Sequence, residues 1–88
     1  MVEIKKKAWP ELFQAVLEGK KNFDLRLDDF QIKEGDVLVL EEWDPKIKNY
    51  TGRVIKKKVT YILHTKDMVF WDDEEVNQHG FVVMSLED

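Results

Sequence analysis

The chain has 88 residues, of which 43% are apolar and 36% are charged, and this composition is typical of one globular domain spanning residues 1–88. It contains no cysteine, which excludes disulfides, cysteine-ligated zinc and a thiol nucleophile. The formal net charge is −4, but the charges are unevenly distributed along the chain. Residues 1–66 hold all 14 lysine and arginine side chains, whereas residues 67–88 contain acidic side chains and no lysine or arginine. No signal-peptide pattern or long apolar run is visible, so we expect a cytoplasmic protein without a membrane partner.

The first third of the chain predicts one helix between two strand-like segments. Residues 1–8 end in a run of lysines, which suits either a short edge strand or a frayed arm. A helix is predicted over residues 10–18, because Pro10 fits a first helical turn and Gly19 can end a helix. Its apolar face is expected to comprise Leu12, Phe13, Val16 and Leu17.

Alternating polar and apolar side chains predict a strand over residues 23–27. Three apolar side chains of this strand are expected to face the core: Phe23, Leu25 and Leu27. Asp24 and Arg26 then share the opposite face, because successive side chains of a strand point to opposite sides.

The remaining residues predict mainly strands and their connections. In chain order these are a loop over 28–35, a strand over 37–43, a long hairpin loop over 44–52, a strand over 53–63 and a strand over 81–86. Four apolar residues of the fourth segment are expected on one face: Ile55, Val59, Tyr61 and Leu63. Residues 64–79 show no clear period and predict either a short helical turn around residues 73–77 or an irregular segment.

One helix followed by four or five strands predicts an α+β fold. The order favours a small mixed β-barrel with the N-terminal helix packed over the barrel opening.

Residues 19–26, which read GKKNFDLR, are the strongest candidate for a ligand site. Lys20 and Lys21 lie where the helix leads into the strand, and Asp24 and Arg26 share one strand face. A carboxylate that orients an arginine creates a fixed fork for phosphate or carbonyl oxygens. The alternative is an ordinary ion pair without function, worth about 0–1 kcal/mol at a surface.

The same stretch resembles the G-x-K-x-x-E-x-R motif of the ASCH (activating signal cointegrator homology) domain in the PUA-like superfamily, with aspartate in place of glutamate. Four further stretches are similar to small stand-alone members of that family. They are FQIKEGDVLVLEEWD (30–44), YTGR (50–53), VTYIL (59–63) and GFVVMSLE (80–87). The resemblance therefore covers nearly the whole chain in the right order.

This resemblance implies a PUA-like barrel with a cleft between the first helix and the sheet, lined by Lys21, Asp24 and Arg26, with Lys20 adjacent. The family is generally regarded as RNA-associated, so RNA or a nucleotide is the expected partner. Some small relatives instead hydrolyse an acyl amide on a modified cytidine, and others are described as nucleases. In the amidohydrolases a threonine stands at the position of Asp24, and this difference argues against that activity here.

Two further groups of residues bear on nucleic acid. Arg53 begins a basic stretch that continues with the lysines of residues 56–58, and we predict that Arg53 contributes to RNA binding. Trp71 is the aromatic residue predicted to be exposed or to cover the cleft, where it could stack on a base. Trp43 is expected in the core beneath the hairpin.

The acidic run at residues 72–75 lacks metal-ligand spacing, and His64 and His79 are interpreted as ordinary loop residues. No cofactor or metal is expected.

The favoured hypothesis is an RNA- or nucleotide-binding module. The first alternative is a small hydrolase acting on a modified nucleoside, with Lys21 as the activated group and Asp24 as acid or base. The second is a protein-interaction domain that presents its acidic C-terminal segment to a basic partner.

Overall fold

The computed structural model describes residues 1–67 and 79–88. The elements are β1 (Glu3–Ala8), α1 (Pro10–Leu17), β2 (Phe23–Leu27), β3 (Val37–Asp44), β4 (Asn49–His64), a 3₁₀ turn (Thr65–Asp67) and β5 (Phe81–Glu87). The predicted α+β class is confirmed, and the helix ends one residue earlier than expected. The helical turn predicted around residues 73–77 lies outside the described residues.

The five strands form one sheet in the order β1-β3-β4-β5-β2. β1 pairs with β3 in parallel, and the other neighbours are antiparallel. β1 and β2 are therefore the two edges. The sheet curls so far that Arg26 on β2 donates a hydrogen bond from Nη2 to the main-chain oxygen of Lys7 on β1, at 2.7 Å. The fold is thus a curled half-barrel, with a seam between its two edge strands.

The hydrophobic core fills the inner side of this curl. Phe13 and Val16 of α1 are buried there against the inner faces of the strands. The other buried core residues are Ala8, Ile32, Leu38, Leu40, Val59, Val82, Met84 and Leu86. Phe30 packs against this cluster, so the loop between β2 and β3 is held against the core.

The N-terminal segment is an edge strand rather than a frayed arm, because Asp36 holds its beginning. The Asp36 carboxylate accepts hydrogen bonds from the backbone N–H groups of Lys33 at 2.9 Å and of Val2 at 3.1 Å. These bonds stabilise the ionised form and lower the pKa of Asp36. The N–H of Val37 in turn donates to the oxygen of Val2 at 2.8 Å, which begins the parallel ladder.

The prediction of a long hairpin loop over residues 44–52 was wrong. Only residues 45–48 form the turn, and β4 already begins at Asn49. Lys48 takes a positive φ of 53° in this turn, a conformation that lets a short connection reverse the chain. Asn49 can then pair with Asp44, so the two strands of the hairpin are paired up to the ends of this four-residue turn.

The predicted orientation of β2 was also wrong, because its two faces are exchanged. Asp24 is buried, whereas Phe23, Leu25 and Leu27 are about half exposed. The register explains the exchange, since Asp24 lies opposite Met84 of β5 and that residue faces the core. Cross-strand partners share one face of a sheet, so Asp24 points inward with Met84.

A similar error affected the end of β4. Its register against β5 shifts between Val59 and Tyr61, which marks a β-bulge. An extra residue in one strand moves the following side chains to the opposite face. Val59 is therefore buried, while Tyr61 and Leu63 are exposed, contrary to the prediction of a single shared face.

Within the described ranges 1–67 and 79–88, no helix combines the length and the apolar character that crossing a membrane would require.

Candidate functional site

A cavity of about 510 Å³ lies at the seam, where the end of β1 and the start of α1 face β2. Its volume falls within the range of small-molecule sites. The lining residues are Lys7, Ala8, Trp9, Leu12, Val16, Lys21, Phe23, Asp24, Leu25, Arg26 and Leu40. Three of the predicted site residues, Lys21, Asp24 and Arg26, are therefore brought together on one wall.

Asp24 organises this wall. One of its carboxylate oxygens accepts a hydrogen bond from Arg26 Nε at 2.5 Å, and the other lies 3.4 Å from Lys21 Nζ. The Asp24 side chain is only 7% exposed, so its charge needs both cationic partners. Inversion of the β2 faces is what places this carboxylate inside the curl.

Hydrogen bonds hold the two cations in place but do not use all of their donor groups among the described residues. Lys21 Nζ also donates to the main-chain oxygen of Phe23 at 2.7 Å. Arg26 uses Nε for Asp24 and Nη2 for the oxygen of Lys7, which leaves Nη1 without a hydrogen bond to any described residue. Two positive groups against a single carboxylate leave one net positive charge at the wall, so the cavity favours an anionic ligand.

The remaining walls are mostly apolar and include an aromatic residue, Trp9, that was not among the predicted site residues. Leu12, Val16 and Leu40 line the cavity, and Trp9 lies at its margin with 58% of its surface exposed. Trp9 occupies the N-cap position of α1, directly before Pro10. The sequence feature that could have identified Trp9 as a site residue is its position between a run of lysines and the proline that starts the helix. Its position suits stacking on a planar ligand.

A second cavity of about 310 Å³ lies further along the same seam. Arg26 and Leu25 line both cavities, so the two spaces are neighbours separated by the Arg26 side chain. In the second cavity Lys6 Nζ lies 3.9 Å from the centre of the Phe30 ring, a cation–π contact. We call the two neighbouring cavities together the groove at the seam; its charged lining residues are Lys6, Lys7, Lys21 and Arg26 with Asp24 and Asp29.

Two other predicted site residues, Lys20 and Arg53, lie outside this groove. Lys20 is 78% exposed and pairs with Glu18 at 3.3 Å, outside both cavity linings. Arg53 lies on β4 and faces α1, where its guanidinium is 4.9 Å from the centre of the Phe13 ring. Trp71 and the acidic run at residues 72–75 lie outside the described residues.

Arg53 belongs to a separate polar cluster that the sequence analysis missed. Buried Glu42 accepts hydrogen bonds from Arg53 Nη2 at 2.8 Å, Arg53 Nε at 2.9 Å and Thr51 Oγ1 at 2.6 Å. The bonds from Arg53, followed by that from Thr51, lower the pKa of Glu42 to about 2. Arg53 Nη2 also reaches Gln14 of α1 at 3.0 Å, so this cluster fixes the helix to the sheet.

Several of the other polar and aromatic candidates have partners among the described residues. Lys57 is paired with Asp88, and Lys56 pairs with Glu3 at 3.1 Å. His64 is the last residue of β4 and not a loop residue, and its Nδ1 lies 2.5 Å from an oxygen of the Asp28 carboxylate. Lys7 Nζ lies over the ring of Trp43 at 4.8 Å.

The described residues contain no cluster of metal-ligating side chains. Across residues 1–67 and 79–88, no three histidine, aspartate or glutamate side chains are grouped closely enough to hold an ion.

The chain is similar to an uncharacterised 12.9 kDa protein in the GpA 3′ region of Escherichia phage P2. The two are 34% identical over 67 residues, which is 76% of this chain and 57% of the phage protein. The chain thus spans only a little over half of that relative's length. Residues 4–86, nearly the whole chain, match the family described as "Domain of unknown function (DUF3850)". On this match the chain belongs to the DUF3850 family.

Proposed function

We propose that the chain is an RNA- or nucleotide-binding module of the ASCH type, and that the cavity at the seam is its binding site. One observation carries the proposal. A buried carboxylate, Asp24, holds Lys21 and Arg26 on the wall of a cavity large enough for a nucleotide. Fixing two cations beside a cavity costs desolvation that a surface ion pair avoids, and an anionic ligand offsets that cost.

In this proposal each wall of the cavity has a different role. Arg26, through the Nη1 that makes no hydrogen bond to a described residue, and Lys21 contact phosphate or base oxygens. Trp9 stacks on a base, and the apolar wall formed by Leu12 and Val16 excludes water from the opposite side. Asp24 sets the direction of the guanidinium and can accept a hydrogen bond from a base amino group.

The same proposal extends to the fold. We interpret the curled half-barrel as a PUA-like barrel that has its opening at the seam between β1 and β2. The Arg26–Lys7 hydrogen bond is the described contact that crosses this seam. A ligand in the groove would lie between two strand edges, where single-stranded RNA presents both its phosphates and its unstacked bases.

Binding accounts for the geometry better than hydrolysis does. Lys21 Nζ donates to both Asp24 and the Phe23 oxygen, so these contacts hold it against the wall and do not direct it at a substrate. A nucleophilic lysine needs an amine that is free to attack. The carboxylate at position 24 also differs from the threonine of the amidohydrolases that the chain resembles.

The test is RNA binding by fluorescence anisotropy with a random single-stranded RNA pool. We expect Lys21→Ala and Arg26→Ala each to weaken binding by about tenfold, the loss of one charge-assisted contact. The matched control is Lys20→Ala, which removes the same charge one residue away but outside the cavity. We expect a much smaller loss for this variant.

Salt provides a second measurement on the same samples. For single strands the logarithm of the binding constant falls by about 0.7 per phosphate contact for each unit of log salt concentration. Each cavity variant should therefore reduce this slope by about that amount. A binding constant that does not change with salt concentration would contradict the proposed site. An equal loss of affinity in Lys20→Ala and Lys21→Ala would also contradict it.

A further inference from the structure

The outer face of β2, β5 and β4 is apolar across three adjacent strands. The register aligns its residues in rows across the sheet, with Leu25 and Leu63 on either side of Val83. In the next row Phe23 and Tyr61 flank Ser85. Leu27 lies opposite Phe81 in the third row. We call this surface the outer apolar face.

The outer apolar face is exposed in the single chain. Leu25 and Leu27 are each 54% exposed and Tyr61 is 60% exposed, although side chains of this type are usually buried. The six large side chains of this face are each roughly half exposed and together present roughly 500 Å² of apolar surface per copy, near the upper end of the patch size found on monomeric proteins. They are Phe23, Leu25, Leu27, Tyr61, Leu63 and Phe81. They form one patch because the exchange of the β2 faces and the β4 bulge both turn apolar residues outward.

The composition of the outer apolar face identifies its partner. None of the residues in the three rows is charged, so neither a nucleic acid nor a charged peptide would gain attraction there. A three-stranded apolar face is complementary to another sheet, since sheets pack face to face about 10 Å apart.

We propose that the outer apolar face binds the same face of a second copy of this chain, giving a twofold-symmetric homodimer. Two copies would bury about 1,000 Å² in total, which is the lower limit for a specific interface. An isologous contact needs only this one self-complementary surface.

The charges at the rim agree with this arrangement. Lys58 of β4 lies opposite Glu87 of β5 at one end of the outer apolar face, and both are exposed. A rim with one base and one acid presents no net like charge to a second copy. The dimer does not depend on the proposed function. Phe23 and Leu25 belong to both the outer apolar face and the cavity lining, whereas Tyr61 and Leu63 of β4 do not line the cavity.

The experiment is analytical ultracentrifugation of the full chain over a concentration series reaching about 100 µM, where a small interface of this size should be populated. We expect the mass of a dimer at the upper end and of a monomer on dilution. The double variant Tyr61→Lys and Leu63→Lys should stay monomeric throughout, because it brings four like charges into the contact.

Val54→Lys is the matched control. Val54 lies on the same strand and is similarly exposed, at 51%, but it is paired with Glu41 of β3, outside the outer apolar face. This variant should dimerise like the unmodified chain. Circular dichroism and thermal melting of each variant distinguish a folded monomer from an unfolded chain.

A wild-type chain that remains monomeric at every concentration would overturn the proposal. Equal loss of the dimer in Val54→Lys would also overturn it. Should the double variant fail to fold, concentration-dependent protection from hydrogen exchange in β2 and β5 of the wild-type chain supports the proposal, and unchanged protection contradicts it.

Discussion

At the scale of single residues, Asp24 determines the chemistry of the cavity. Its carboxylate is buried on the inner face of β2 and is paired with Arg26 at 2.5 Å. Without it, two cations would share a confined space, and each would lose the partner that offsets its desolvation. The aspartate thus serves the stability of the fold and the orientation of the site at once.

Asp24→Asn should therefore destabilise the protein. The amide keeps the size of the side chain but leaves the two neighbouring cations without a counter-charge, so we expect the free energy of unfolding to fall by roughly 2–4 kcal/mol. Urea denaturation monitored by circular dichroism measures this change.

Glu18→Gln provides the comparison for Asp24→Asn, because it removes the exposed partner of Lys20. A surface pair of this kind is worth at most about 1 kcal/mol. If the two substitutions had the same effect on unfolding, the buried pair would have no special role.

At the scale of elements, Glu42 links α1, β3 and β4 through Arg53, and this link makes the stability of the fold depend on pH. Its pKa falls from 4.5 to about 2, since Arg53 and Thr51 donate to its charged form. A carboxyl group whose pKa is lower in the folded state stabilises the fold above its unfolded pKa. That contribution is lost as the pH falls from about 4.5 to 2.

Glu42→Gln should remove this part of the acid sensitivity. We expect the variant to be less stable than the wild type by about 2 kcal/mol near neutral pH, an amount reduced by the partial exposure of Arg53. The difference should shrink as the pH falls from about 4.5 and approach zero only below pH 2, where Glu42 becomes protonated in both states. Urea denaturation across this pH range measures it, and a difference independent of pH would exclude Glu42 as the titrating group.

The strands also show where sequence patterns stop being informative. Alternation in residues 23–27 correctly predicted a strand with two different faces, but alternation does not state which face lies inside. That choice depends on the partner strand, because Asp24 is opposite the buried Met84. In β4 the bulge after Val59 reversed the facing of Tyr61, and no local residue pattern marks that extra residue.

At the scale of the whole molecule, the curl of the sheet creates the site. The GKKNFDLR stretch was recognisable from its charges, and three of its residues do share one cavity wall. The opposite wall was not predictable, because Trp9 and Leu12 approach β2 only when the edge strands β1 and β2 are brought together by the curl. The pairing of Arg53 with Glu42 was not predictable either, since Glu42 comes from a neighbouring strand.

The most direct measurement is a titration of ¹⁵N-labelled protein with the single-stranded RNA pool, followed by amide chemical shifts. We predict the largest shift changes for residues 7–12 and 21–26, on the two sides of the seam, because both segments line the cavity. An absence of shift changes would contradict RNA binding. Changes confined to the basic segment 56–58 of β4 would contradict the site.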